Sequence, residues 1–168
     1  TGGGGAVLTS DNFLAKRAKH ITTTAKVTHA WEFMHDEVGY NYRLPNINAA
    51  LGCAQLEQLP KFVEHKRHLC QKYAEAFKSI PYVEVFKEAE FAKSNYWLNV
   101  LILKKPDRDF IEAFIAQAHE HNYGLRGLWK PLDQLPMYQH CPKMDLSHTH
   151  QMYERIIALP SSVLLSGC

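Results

Sequence analysis

Apolar and polar positions follow different periods along this chain, and the changes of period divide it. From Asn46 to Ser79 apolar residues recur at helical spacing, first as Ile47, Ala50, Leu51 and Ala54, then as Leu59, Phe62, Val63, Cys70, Tyr73, Ala74 and Phe77. That spacing predicts one long helical region, kinked or restarted at Pro60, which lacks an N–H and crowds the turn before it. At about 1.5 Å per residue it would span roughly 50 Å, enough to link two domains. Past Ile80 and Pro81 the pattern changes to strands: Tyr82 to Phe86 alternates, and Tyr96 to Leu103 is nearly continuous apolar, as a central strand is. Pro106 and Asp107 then open a helix whose predicted buried face is Phe110, Ile111, Phe114, Ile115 and Ala118. It closes near Asn122 and Gly124, and Tyr123 to Arg126 is placed as a returning strand.

Ahead of the long helix the pattern is more broken. Gly2 to Gly5 reads as a permissive turn, Ala6 to Thr9 as a short strand, and Asp11 as the N-cap of a helix through about Lys19. Ile21 to Val38 has no clean period and is expected to be irregular. Between it and the helix lies the most polar loop of the chain, led by Gly39. Asn41 and Arg43 are two apart, so an extended backbone projects both side chains to one side. An amide beside a guanidinium suits phosphate or carboxylate. Tyr40 and Tyr42 fall on the opposite side, where they pack or line a pocket, and Asn46 is a candidate helix cap. His35 and Asp36 precede the loop as supports or as a solvated turn.

In this loop and helix the sequence resembles the DegT-type sugar-nucleotide aminotransferases, which use pyridoxal phosphate (PLP). Gly39, Asn41, Arg43, Ala49, Ala50, Gly52, Gln55 and Leu56 read like that family's GxNxR…AAxGxxQL signature. TGGGGAVLT at Thr1 to Thr9 looks like the glycine turn and strand after the PLP lysine. GLWKPLDQLPMY at Gly127 to Tyr138 and IALPSS at Ile157 to Ser162 look like two C-terminal segments of the same family. Within it, the loop is most similar to the branch that aminates keto sugars for legionaminic-type surface sugars.

The resemblance implies an α/β fold: the C-terminal part of a fold type I PLP-dependent transferase. Residues 1–45 would end the large PLP-binding domain, 46–79 form the linking helix, and 80–168 the small α/β domain. It further implies amino transfer from glutamate to a nucleotide-linked keto sugar, in a cytoplasmic homodimer with shared active sites. Asn41 would reach the PLP phosphate of the neighbouring subunit, and Arg43 would hold substrate carboxylate or phosphate. Tyr42, Arg126 and Trp129 are further candidates for substrate contact. Asp133 stands in a PLD segment where many relatives have PLH, so a substrate-binding histidine is not carried over to it. The family's lysine and the aspartate that pairs with the pyridine nitrogen precede the segment where Thr1 falls, so the chain alone is expected to be inactive. A sugar dehydratase of the same superfamily, with histidine in place of that lysine, and a non-catalytic module of the same fold remain alternatives.

Composition changes this picture little. With 168 residues and 46% hydrophobic content the chain can bury a core, and a formal charge of +2 without long runs of one sign points to neither nucleic acid nor an anionic membrane. No apolar stretch approaches a membrane span. Cys53, Cys70, Cys141 and Cys168 show no CxxC or disulfide-framework spacing, which favours a reducing compartment. Cys53 and Cys70 are read as small apolar groups on helix faces. Neither His65 with His68 nor Cys141 with His148 and His150 matches a structural zinc pattern.

Overall fold

In a computed structural model of the chain, residues 1–166 are described. They divide into two compact units, Thr1–Leu59 and Pro60 onward, with the boundary inside a helix.

In the first unit, helix α1 (Asn12–Thr22) starts where the sequence predicts. The Asp11 carboxylate accepts from the N–H groups of Phe13 at 2.7 Å and Leu14 at 3.1 Å, two donors that otherwise lack an intrahelical partner. Beyond α1 the chain turns a corner through two non-glycine residues in the left-handed region, Thr24 (φ 70°) and Ala25 (φ 49°). Residues 6–9 form no strand, against expectation: Val7 and Leu8 are 73% and 92% exposed, and no neighbouring strand pairs with them among the described residues. A strand needs such a partner for its backbone groups. Ala25 is the one buried residue of this unit among those described.

Helix α2 (Asn46–Ala76) runs through the unit boundary and through Pro60, so the proline does not restart it. Asn46 is its first helical residue, which leaves Pro45 rather than Asn46 at the cap position. Cys53 on this helix is exposed, whereas Cys70 is buried, so only Cys70 behaves as the expected apolar thiol.

The second unit holds the core. Strands β1 (Val83–Val85), β2 (Asn99–Leu103), β3 (Arg126–Gly127) and β4 (Ile156–Leu159) form an antiparallel sheet in the order β1-β2-β4-β3. Helix α3 (Arg108–Glu120) is capped by the Asp107 carboxylate, which accepts from the Phe110 N–H at 2.9 Å, and α4 (Ser147–Tyr153) precedes β4. Leu101, Leu103, Ile157 and Leu159 from the central strands join Cys70, Tyr96, Ile111 and Leu125 in one buried cluster, with Tyr73, Phe77, Phe114, Ile115 and Ala118 packed against it.

Three expectations shift here. Phe110, predicted on the buried face of α3, is 47% exposed and stacks on Phe114 at 5.8 Å instead. The strand expected from Tyr96 begins at Asn99, because Tyr96 takes a left-handed conformation (φ 45°) that breaks the extended run. The strand expected over Tyr123 to Arg126 is only Arg126–Gly127. Cys168 lies outside the described residues.

Candidate functional site

The loop that carries Asn41 and Arg43 is laid antiparallel to the end of α1. Tyr40 N–H donates to Ile21 O at 2.7 Å, Thr24 N–H to Tyr40 O at 3.0 Å, and Tyr42 N–H to Thr22 O at 2.9 Å. Asn41 pairs with Thr23 across this bridge. Gly39 is where the loop comes closest to the corner. A Cβ at Gly39 would sit 2.5 Å from the Ala25 nitrogen and 2.5 Å from the Thr24 carbonyl carbon, so no side chain fits without moving backbone.

The expected division of side chains holds within this loop. Arg43 donates to the Asn41 side-chain oxygen at 3.5 Å and to Thr23 O at 3.0 Å, which places the two candidates on one side. Both are exposed. With its oxygen facing Arg43, the Asn41 amide keeps its N–H₂ for an outside acceptor, since that group has no partner among the described residues. Tyr40 and Tyr42 stack on the other side, rings 5.4 Å apart and 14° from parallel.

An ion pair and a histidine–carboxylate contact brace the approach to the loop. Arg17 on α1 binds the Glu37 carboxylate and holds it below its ordinary pKa; His20 contacts Asp36 at 2.6 Å with the same effect on Asp36. His35 Nδ1 lies 2.6 Å from Thr24 O, so His35 and Asp36 act as supports of the fold around the loop rather than as a free turn. The ligand atoms of His20, Asp36 and Glu37 lie within 4.8 Å of one another, a cluster into which Arg17 already brings a positive charge.

The glycine run lies against the start of α2. Asn48 donates its side-chain amide to Gly3 O at 3.0 Å, and a Cβ at Gly4 would meet Leu44 Cδ1 at 2.9 Å. Gly52 leaves room for the Thr1 methyl, which a Cβ there would approach to 3.2 Å. The small residues of the helix thus receive the glycine segment.

In the second unit, β3 sets Arg126 opposite Ala158, and its guanidinium lies 5.2 Å from the centre of the Trp129 ring. Trp97 also stacks on Trp129, at 6.0 Å and 27°. Reading the sequence for sites missed Trp97, because it fell inside a run taken as strand. The departure of Tyr96 from extended backbone releases it. Asp133 is engaged by His150, whose Nε2 lies 3.0 and 3.1 Å from the two carboxylate oxygens. Ser161 in the LPSS segment was also missed as a structural pivot: its hydroxyl accepts from Asn99 N–H at 2.8 Å and donates to Leu159 O at 2.8 Å.

Chemically, the Asn41 and Arg43 pair is an exposed set of amide and guanidinium donors with no carboxylate bonded to it among the described residues. It fits an anionic oxygen group, and the phosphate of PLP is one.

Known proteins resemble the chain over most of its length. The chain is 32% identical over 167 residues to EpsN of Bacillus subtilis, covering 96% of the chain and 42% of that protein. It is 34% identical over 139 residues to GDP-perosamine synthase of Escherichia coli, covering 82% of the chain and 36% of the relative. The chain therefore spans about two fifths of the length of these relatives, 42% and 36%. Among solved structures, the aminotransferase TlmJ from Streptoalloteichus hindustanus superposes with a TM-score of 0.81 at 20% identity, over 92% of this chain and 41% of that one. PseC of Helicobacter pylori, an aminotransferase involved in the biosynthesis of pseudoaminic acid, does so at 0.78 and 22%, over 92% and 42%. Residues 1–167 match the DegT/DnrJ/EryC1/StrS aminotransferase family throughout, and the chain belongs to that family.

Proposed function

We propose that this chain is the carboxy-terminal part of a PLP-dependent aminotransferase that moves an amino group from glutamate onto the keto carbon of a nucleotide-linked sugar. The observation that carries the reading is the side-by-side placement of Asn41 and Arg43 on a loop fixed by backbone hydrogen bonds and by a glycine whose replacement would force the backbone to move. The family and the named activities of the relatives support it. EpsN is named for pyridoxal phosphate dependence, and GDP-perosamine synthase and the UDP-4-amino-4,6-dideoxy-N-acetyl-beta-L-altrosamine transaminase of Helicobacter pylori for nucleotide-linked amino sugars.

When bound, PLP supplies the electron sink that amino transfer needs. The residues of this chain bind and orient. The Asn41 amide donates to the cofactor phosphate of the neighbouring subunit in a homodimer, and Arg43 holds an acidic group of substrate. Tyr42 is a substrate contact on the loop of the first unit, and Arg126 and Trp129 are substrate contacts of the second unit. The lysine that bonds the cofactor is supplied by the full-length protein ahead of Thr1, and the sugar belongs to the legionaminic type of surface-glycan building block. The protein works in the cytoplasm, where keto sugar nucleotides and glutamate meet. No helix among the described residues is long and apolar enough to cross a membrane.

A second reading has one observation in its favour. The chain is 36% identical over 67 residues to GDP-4-keto-6-deoxy-D-mannose 3-dehydratase of Yersinia pseudotuberculosis, a match over 40% of the chain and 16% of that enzyme. The full-length protein separates the two. Lysine ahead of Thr1 together with glutamate-dependent amination of a UDP- or GDP-linked keto sugar is the expected result. Histidine at that place, with loss of a sugar hydroxyl, would establish the dehydratase. A stoichiometric cofactor adduct on the 168-residue chain alone, bleached by glutamate, would overturn the placement of the lysine.

A further inference from the structure

The second unit presents an aromatic and cationic surface in which Arg126 and Trp129 have a proposed substrate role and Trp97 has none. Trp97 and Trp129 are 63% and 62% exposed, although tryptophan is usually well covered. They stack on one another, with the Arg126 guanidinium over Trp129 and Lys130 next in the chain. Trp97 and the Arg126 to Lys130 segment are far apart in the sequence, so their meeting is a product of the fold.

The surface is held rigid from below. Trp97 N–H donates to the Asn95 side-chain oxygen at 3.0 Å, and Lys66 on α2 donates to Trp97 O at 3.3 Å and to Ser161 O at 2.6 Å. The left-handed residue just before it, Tyr96, is 7% exposed, and its hydroxyl accepts from Glu88 N–H at 3.1 Å. Arg67 ties the same segment down through Glu88 and through Ser94 O at 2.7 Å. Asn99, bonded to Ser161 in this network, is 1% exposed, and its side-chain oxygen has no partner among the described residues. A strained turn, a buried tyrosine and two cations thus fix the position of an exposed indole. Such preorganisation suits the binding of a flat ligand.

We propose that Trp97, Trp129 and Arg126 form a nucleoside-diphosphate platform, with the base stacking on the indoles and the diphosphate lying toward the guanidinium. The proposal rests on the nucleotide-linked substrate of the preceding section and adds Trp97 as a binding residue for its nucleotide half. Charge selects this occupant: an aromatic face beside a guanidinium complements a base joined to an anion. Base stacking on an aromatic side chain is sequence-tolerant and strong, and arginine adds a charge-assisted bond to phosphate.

The test uses the 168-residue chain with Trp31→Phe, which leaves Trp97 and Trp129 as its only tryptophans. GDP and UDP are titrated while tryptophan emission is followed, with inorganic pyrophosphate as the control for charge alone. Circular dichroism of each variant confirms that it is folded. GDP and UDP should quench saturably and pyrophosphate should not. Trp97→Ala should weaken GDP binding roughly tenfold or more, and Trp97→Phe should keep it within about threefold, which a merely structural role would not distinguish. Arg126→Gln should weaken GDP but leave guanosine unchanged. Absence of saturable quenching up to about 10 mM nucleotide, equal affinity in Trp97→Ala, or equal quenching by pyrophosphate would overturn the proposal. So would an emission that changes with protein concentration and ignores nucleotide, since a second copy would then cover the platform. None of these readouts involves Asn41, Arg43 or amino transfer. The platform can therefore fail while the aminotransferase reading stands, and the reverse.

Discussion

Residues 60–166 hold their shape by burying apolar side chains, and residues 1–59 hold theirs mainly by polar contacts. Ile111 and Ile157 are 0% exposed in the second unit, in a cluster fed by helix, strand and loop. In the first unit Val7, Leu8, Phe13, Ile47 and Leu56 are between 66% and 92% exposed, while hydrogen bonds and ion pairs fix the loop of Asn41. A polar scaffold can place a loop without a core, but it leaves apolar surface that usually marks an interaction site. On the proposed reading, that surface belongs against the rest of a PLP-binding domain.

The largest expected effect separates the two units directly. Ile111→Ala or Ile157→Ala should cost about 2–5 kcal/mol of unfolding free energy, the range for emptying a packed site, whereas Phe13→Ala in the chain alone should stay within about 0.5 kcal/mol. Urea unfolding followed by circular dichroism reads both. A similar cost at Phe13 would mean that the first unit has a core of its own.

Gly39→Ala sharpens the contrast from the other side. Its methyl would lie 2.5 Å from backbone atoms of Thr24 and Ala25, so the loop must shift, at an expected cost of about 1–3 kcal/mol. The loss should be local. Hydrogen exchange at the Tyr40 and Tyr42 amides should speed up, while amides of β2 and β4 keep their protection. Faster exchange in both places would show that the disturbance is not confined to the loop.

The smallest effect is a pH dependence in the second unit. Hydrogen bonds from Arg67 and from Ser94 N–H pull the Glu88 carboxyl down from 4.5 to about 2. A lowered pKa means that the folded state favours the charged form. This stabilisation is complete above pH 4.5 and disappears as pH falls toward 2. The stability difference between the parent and Glu88→Gln should therefore shrink as the solution is acidified across that range. A difference that stays constant would show that Glu88 contributes no charge-dependent stability.

What could be read from sequence, and what could not, follows the reach of each interaction. Asp11 was legible as a cap, and Asp107 as the opening of a helix, because a cap and the amides it serves lie within three residues. The shared side of Asn41 and Arg43 was legible because alternation along an extended backbone is local. Strand β4 was not anticipated, since its partners are Asn99–Ile102 and Arg126–Gly127, far away in the chain. Trp97 was hidden because the left-handed turn at Tyr96 is held by Glu88, whose place beside it depends on Arg67 from α2. The strand expected over residues 6–9 has the right local pattern and lacks a neighbour to pair with among the described residues.

Mixing two full-length variants at limiting PLP, where Asn41→Ala is impaired, tests whether Asn41 serves the cofactor phosphate of a neighbouring subunit. Asn41→Ala alone should lose about 1.5–3 kcal/mol of cofactor affinity, the worth of a hydrogen bond to a charged group. Arg43→Ala should instead raise the apparent KM for an anionic substrate more than it loosens PLP. A dimer of Asn41→Ala with a lysine-deficient partner has one site lacking both groups and one site with both intact. Activity should reappear in the mixture once subunits exchange. No recovery, with exchange proven by mass spectrometry of the mixed dimer, would mean that Asn41 acts within its own subunit or outside the cofactor site.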